Sequence, residues 1–199
     1  MKRILKRLVI LIFYVVVLPL WLAYRLQTLM LKREETFYGY SQLLSLFPGI
    51  IGNYLRFAFY RMTIASLGDD TRISFGVTLA DPRIRIGRGV YIGLWCNLGL
   101  CTIDDDVLLG TDVHIMSGFS QHGQTDLSIP IRDQKGKLLN VRIGRDSWIG
   151  NKSVVGNHIG KKCIIGAASL VSREIPPYSI AVGNPAQVIR DRREPSIEE

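Results

Sequence analysis

His122 stands near the start of a polar, turn-rich stretch, "GFSQHGQTDLSIPIRDQKGK" (residues 118–137), between two regular segments. Imidazole titrates near pH 6.5, so one side chain can accept a hydroxyl proton and then return it to a leaving group within a turnover. Acyl transfer from a thioester to an alcohol requires both movements. A histidine in a polar loop can equally be a solvated side chain, so its position has to decide. His114 ends a repeat unit, where side chains point outward, and His158 falls in a shortened corner; both read as structural. The three are eight and thirty-six residues apart, which does not assemble an obvious three-ligand zinc shell, and no metal is expected. Cys96, Cys101 and Cys163 are odd in number and form no CxxC pair. They read as reduced, buried side chains of a cytosolic domain.

The segments around the loop must position it, and beyond Asp70 they are self-similar. In sixes the chain reads "IGRGVY", "IGLWCN", "IDDDVL", "LGTDVH", and after the interruption "IGRDSW", "IGNKSV", "IGKKCI", "IGAASL". The first place is always Ile or Leu, and the fifth is always small: Val90, Cys96, Val107, Val113, Ser147, Ser153, Cys163, Ser169. An amphipathic helix would need apolar residues at offsets of three and four, and these do not recur. Short strands joined by tight corners fit instead, with the aliphatic side chain filling a narrow interior and Gly at the second place permitting the corner. The period slips in "LGLCT" and "VGNH", where tighter corners are expected. Each coil of a solenoid contacts only its neighbours, so residues 118–137 can leave the stack as a loop without breaking it.

This pattern resembles the left-handed parallel β-helix of the hexapeptide-repeat acyltransferases over about residues 73–190. "IGRDSWIGNKSVV" is similar to that family's Trp-Ile-Gly segment, and "IGAASLVSREIPPYSIAVGNPAQVIR" to its closing signature. The resemblance implies a homotrimer, acetyl-CoA as cosubstrate in the groove between adjacent solenoids, and His122 as the general base. Asp126 is a candidate to orient the imidazole, or a loop carboxylate facing water. Trp148 would line the pantetheine arm or pack on another subunit. Gly166, Ala167, Ala168 and Ser169 would let the cosubstrate approach backbone amides, though a tight corner needs small residues too. Lys161, Lys162 and Arg190 would meet its phosphates or remain solvated charge. Asn97 and Gln124 are candidates for acceptor binding. The galactoside and maltose acetyltransferases place an acceptor-binding asparagine in this region, and the matching position here is Gly93, which argues against a small free sugar.

Composition adds a membrane. The 199 residues are 47% hydrophobic with a formal charge of +8. Seven of the 25 basic residues lie within the first 33 positions, where there is no acid, leaving 18 against 17 acidic ones beyond. Basicity thus belongs to the N-terminus, and no basic face interleaved with aromatics suggests nucleic acid. Residues 8–24, "LVILIFYVVVLPLWLAY", are uncharged and as a helix would reach roughly 25 Å, short for a span. Basic residues flank them on both sides, and Pro19 can kink the helix, so a re-entrant or in-plane anchor is expected, with a single-pass span or a buried helix pair as alternatives. Residues 41–63, punctuated by Arg56 and Arg61, resemble an interfacial helix.

The expected organisation is a membrane-associating helical region (1–66), a β-helix domain (67–190, loop 117–140) whose core lies wholly after residue 64, and a polar tail (191–199). The expected function is acetyl-CoA-dependent O-acetylation of a lipid-linked sugar or surface polysaccharide precursor at the cytoplasmic membrane face. The alternatives are a small soluble acceptor, such as an antibiotic or free sugar, and a non-catalytic trimeric membrane scaffold.

Overall fold

The computed structural model describes residues 2–194, with side chains from Leu8 onward. Residues 195–199 of the expected tail, and the side chains of Lys2, Arg3, Lys6 and Arg7, lie outside the described residues. From Ser66 the chain winds through about six coils of a β-solenoid with three flat faces. Face A carries β1 (Ser66–Leu67), β4 (Arg85–Ile86), β7 (Cys101–Ile103) and β10 (Val141–Ile143). Face B carries β2 (Arg72–Ile73), β5 (Tyr91–Ile92), β8 (Leu108–Leu109), β11 (Trp148–Ile149), β13 (Ile164–Ile165) and β15 (Ser179–Val182), closed by β16 (Gln187–Asp191) running antiparallel to β15. Face C carries β3 (Thr78–Leu79), β6 (Asn97–Leu98), β9 (His114–Ile115), β12 (Val154–Val155) and β14 (Leu170–Val171).

The repeat sets the interior. First-place residues such as Ile86, Ile92, Leu109, Ile149 and Ile165 are at most 1% exposed, and so are the fifth-place residues, serines included. Each buried aliphatic side chain contributes roughly 1.5–3 kcal/mol. The inward serines stay satisfied across the corner: Ser147 Oγ donates to the Gly160 carbonyl and Ser153 Oγ to that of Gly166, at 2.9 and 3.0 Å.

Corner chemistry departs from expectation. The left-handed residue is not the second-place glycine but the fourth-place residue, among them Asp106, Asp112, Asp146, Lys152, Lys162 and Ala168, with φ between 55° and 61°. The second-place glycines are required by proximity: a Cβ on Gly93 would stand 2.5 Å from the Gly110 carbonyl oxygen, and one on Gly150 2.5 Å from the Ala167 nitrogen. Glycine there lets consecutive coils stack at ladder distance. The shortened units fall on one edge, between faces C and A, where two or three residues join the strands instead of four.

Three helices close the first coil: α1 (Lys2–Gln27), α2 (Arg33–Ser45) and α3 (Gly49–Thr63). α2 packs on β3, α3 on β1 and β2, and α1 on α2 and α3. The residues read as one interfacial helix are therefore split, with Pro48 at the N-cap of α3, and they are core: Arg56, Ala58, Phe59 and Tyr60 are fully buried. Arg56 donates to the carbonyls of Ile73 (Nε, 2.9 Å), Leu44 (2.9 Å) and Phe47 (2.7 Å) and to Asn53 Oδ1 (3.1 Å), tying α2, α3 and the solenoid together. Nor does α1 turn back at Pro19. It is one continuous helix, so the re-entrant hairpin is not formed.

Candidate active site

The loop leaves the stack after β9, on the short-cornered edge between faces C and A, and rejoins it at β10. Its stem is a narrow antiparallel pairing. The Leu139 N–H donates to the Ser117 carbonyl (2.8 Å), Lys137 N–H to Ser120 (2.6 Å), and His122 bridges Lys135. Phe119 locks the stem to the next coil by covering Gly156, where no Cβ could fit beside its ring. Farther out, the buried Gln134 side chain gathers the loop, its Nε2 donating to the carbonyls of Asp126 (2.6 Å) and Ile129 (3.2 Å) while its Oε1 accepts from the Asp126 N–H (3.2 Å). A 3-10 turn, Ile131–Asp133, precedes it.

His122 is exposed on this stem, and its ring has no hydrogen-bond partner among the described residues. Asp126 does not orient it. The Asp126 carboxylate accepts from the Ser128 hydroxyl (2.5 Å) and N–H (2.9 Å), which hold it below the usual carboxylate range and commit it to a local turn. Gln124 is exposed two residues beyond His122. His114 faces outward on face C with Nε2 3.1 Å from Asp112 Oδ1, and His158 Nδ1 accepts the Arg142 N–H at 3.0 Å. Among the described residues no three His, Cys, Asp or Glu side chains cluster as a metal site would require.

The residues expected to hold the cosubstrate occupy other edges. Trp148 projects from face B, half exposed, over a cleft of about 220 Å³ shared with Asp106, Leu108, Ile164 and Arg192. Ala167 and Ala168 are exposed at the corner between faces B and C. The Ala168 N–H is taken by the Asn151 carbonyl and the Gly166 N–H by Ala181, whereas the Ala167 N–H has no partner among the described residues. The Ser169 side chain is 1% exposed and its Oγ accepts the Gly183 N–H at 3.1 Å, so it braces the interior. Lys162 is paired with Asp146 (2.7 Å), and Lys161 sits 5.4 Å over the Tyr178 ring. Arg190 pairs with Ile180 across β15 and β16, its Nε buried without a partner. Asn97 on face C donates to Thr78 Oγ1 at 2.7 Å.

Within one chain, then, His122 stands on the edge between faces C and A, while Trp148, Ala167 and Lys161 ring face B. The two halves do not meet. Sequence reasoning missed Phe119, Gln134 and Gly156, which position the loop; the glycine inside the shortened unit "VGNH" was the available signal.

No family model matches the chain. It is 36% identical over 135 residues to a Mycobacterium tuberculosis protein named "Probable acetyltransferase", covering 56% of this chain and 45% of that one. It is 33% identical over 118 residues to the galactoside O-acetyltransferase of Escherichia coli, covering 54% of each. The chain thus spans about half the length of these curated relatives. Among solved structures, a maltose O-acetyltransferase from Clostridium difficile superposes with a TM-score of 0.67 at 24% identity, covering 82% of this chain and 90% of that one. A hexapeptide-repeat acetyltransferase from Vibrio cholerae gives 0.62 at 20%, covering 83% and 96%. The solenoid is therefore the left-handed parallel β-helix of the hexapeptide-repeat proteins, as its repeat suggested.

Proposed function

We infer that this chain, a hexapeptide-repeat β-helix whose sequence relatives are acetyltransferases, is an acetyl-CoA-dependent O-acetyltransferase that works as a homotrimer. The observation that carries the reading is the separation of the two half-sites. An unengaged imidazole on a braced loop is complementary to a half-exposed indole on face B and a free backbone N–H at that face's corner, and the two groups lie on different edges of one solenoid. A neighbouring copy unites them, as the family resemblance implies.

In such a site His122 takes the proton of the acceptor hydroxyl as its oxygen attacks the thioester carbonyl, and returns it to the departing sulfur. The C–O bond forms, the C–S bond breaks, and the proton ends on the free thiol. Trp148 would cover the pantetheine arm, the Ala167 N–H would donate to it, and Lys161 would face phosphate charge. With Asp126 engaged elsewhere, the imidazole is held by the stem of the loop.

We assign the acceptor to a lipid-linked sugar or surface polysaccharide precursor at the cytoplasmic membrane face, because among the described residues the segment Leu8–Gln27 is a helix long and apolar enough to enter a bilayer. The sugar substrates in the names of the Escherichia coli and Clostridium difficile relatives favour a second reading, a small soluble acceptor. Release of free thiol from acetyl-CoA, with and without membrane glycolipid, separates the two. His122→Ala should lower the rate on the order of 100- to 10,000-fold with acetyl-CoA binding retained. Retention of more than about a tenth of the rate would remove His122 from the chemistry.

A further inference from the structure

The two sides of α1 have different tasks. At 3.6 residues per turn, Ile10, Phe13, Val17, Leu20 and Tyr24 share one side. That side meets the cap: Phe13 stacks on Tyr54 (5.2 Å), and Tyr24 packs edge-on against Phe37, Tyr40 and Phe59. The opposite side, with Leu8, Leu11, Val15, Leu22 and Leu26, is 48–66% exposed and wholly apolar. Leu29, Met30 and Leu31 in the turn after α1 extend it, each at least 60% exposed. An apolar surface of this extent on a folded chain marks a docking face.

Hydrogen bonds of a parallel ladder run along the solenoid axis, and cap groups occupy that direction on the first coil. Ser41 Oγ accepts the Leu79 N–H (2.8 Å), the Ser45 carbonyl accepts the Gly76 N–H (3.0 Å), and Arg56 meets the Ile73 carbonyl (2.9 Å). α2 and α3 therefore cap the first coil, and α1 packs on them with its Ile10 end beside that coil and its apolar side facing away from the cap. Ile10 shares a cleft with Thr71 and Arg72 of the first coil, and Tyr24 reaches α2. About 21 Å of α1 thus lies along the protein, too much to leave a crossing of roughly 30 Å of hydrocarbon free of the solenoid.

We propose that α1 lies in the plane of an anionic bilayer as the base of an upright solenoid, which holds His122 at a fixed height and selects acceptors whose reactive hydroxyl is carried well clear of the lipid. The occupant is lipid because the segment bearing the face holds seven basic residues and no acid through Arg33, which suits anionic headgroups. The height follows from layers. Helix layers pack about 8–10 Å apart and coils rise about 4.8 Å, and the loop leaves two coils above β3, so His122 stands roughly 20–30 Å from the α1 axis. The acceptor is then an extended lipid-linked glycan, modified several sugar units from its anchor. This deepens the membrane reading above and rests on it.

Spin labels test the geometry without assaying catalysis. The native thiols need no removal, since Cys96, Cys101 and Cys163 are buried. Single variants Leu8→Cys, Val15→Cys, Leu22→Cys and Leu26→Cys are labelled in the full chain on vesicles of phosphatidylcholine and phosphatidylglycerol. All four should report the same shallow depth, and a dye at Gln124→Cys should escape contact quenching by headgroup-attached nitroxides. Depth peaking at Val15 and falling toward both ends would establish a span. Strong contact quenching at residue 124 would overturn the standoff, and absence of vesicle binding would overturn the docking face. Thiol release on a soluble alcohol reads the acetyltransferase assignment separately, whichever of these results is obtained.

Discussion

Phe119 and Gly156, thirty-seven positions apart, are in such close contact that the ring occupies the space a side chain at 156 would need. This contact joins the loop carrying His122 to the coil above it. Gly156→Ala should push the ring and the stem away while leaving the ladder of β12 with β9 and β14 intact. A displacement near 1 Å at a reacting group costs about 100-fold. Turnover should fall by about that factor, with acetyl-CoA affinity unchanged by calorimetry and faster proteolysis within residues 118–137.

Trp148→Ala should act on the other half-site. Contacts made equally in the ground and transition states raise KM without lowering kcat when lost, so KM for acetyl-CoA should rise with kcat retained. Mixed in equal amounts with His122→Ala chains, reassembled and assayed at limiting acetyl-CoA, the two variants should regain about a quarter of the wild-type sites if, as proposed, a head-to-tail ring pairs each loop with a neighbour's groove. No recovery would place both residues in one chain's site.

The inside–outside pattern of the solenoid was legible because period and burial are one fact: Ile92 and Cys96 must face in if Asn97 and Trp148 face out. Why the second-place glycines are needed was not legible, because Gly93 and Gly110 sit in different repeats and their approach exists only once coils stack. The bracing of Ser169 was hidden likewise, because the Gly183 N–H that its Oγ accepts lies in the next coil. Arg56 reads as an interfacial charge until the carbonyls of Leu44, Phe47 and Ile73 converge on it. For the same reason the buried core does not begin after residue 64: Phe59 and Tyr60 of α3 belong to the core they were expected to precede.

Arg56→Met should be among the most destabilising substitutions in the cap. Burial lowers the guanidinium pKa, yet among the described residues no carboxylate bonds to it; three carbonyls and one amide do. Its loss leaves buried acceptors unpaired at about 1–3 kcal/mol each. Arg56→Lys should rescue little, since three ammonium donors on a flexible stem cannot reach all four acceptors. Chemical denaturation of the three proteins checks the order.

Alkaline pH should loosen the same core. Burial raises the Cys96 thiol from 9.0 to about 11, Cys101 from 9.0 to about 12 and the Tyr60 phenol from 10.0 to about 12. Groups with raised folded pKa values contribute fully below their unfolded values and lose that contribution as pH rises through the folded ones. Stability should therefore hold up to about pH 9 and fall toward pH 12, with a shallower fall in Cys101→Ala. An equal slope in that variant would exclude the thiol as a source.

A stack of parallel strands is by construction a template for its own extension, since each terminal coil offers unpaired N–H and C=O groups to the next chain that arrives. Here the first coil offers its edge to Ser41, Ser45 and Arg56, and the last strand of face B is occupied by β16 folding back from Val182. Copies are thus barred from joining end to end along those edges, and association is channelled to the flanks, where it can close into a ring rather than grow into a fibre. Loss of the chain beyond Val182 would reopen one edge, and concentration-dependent filaments would follow.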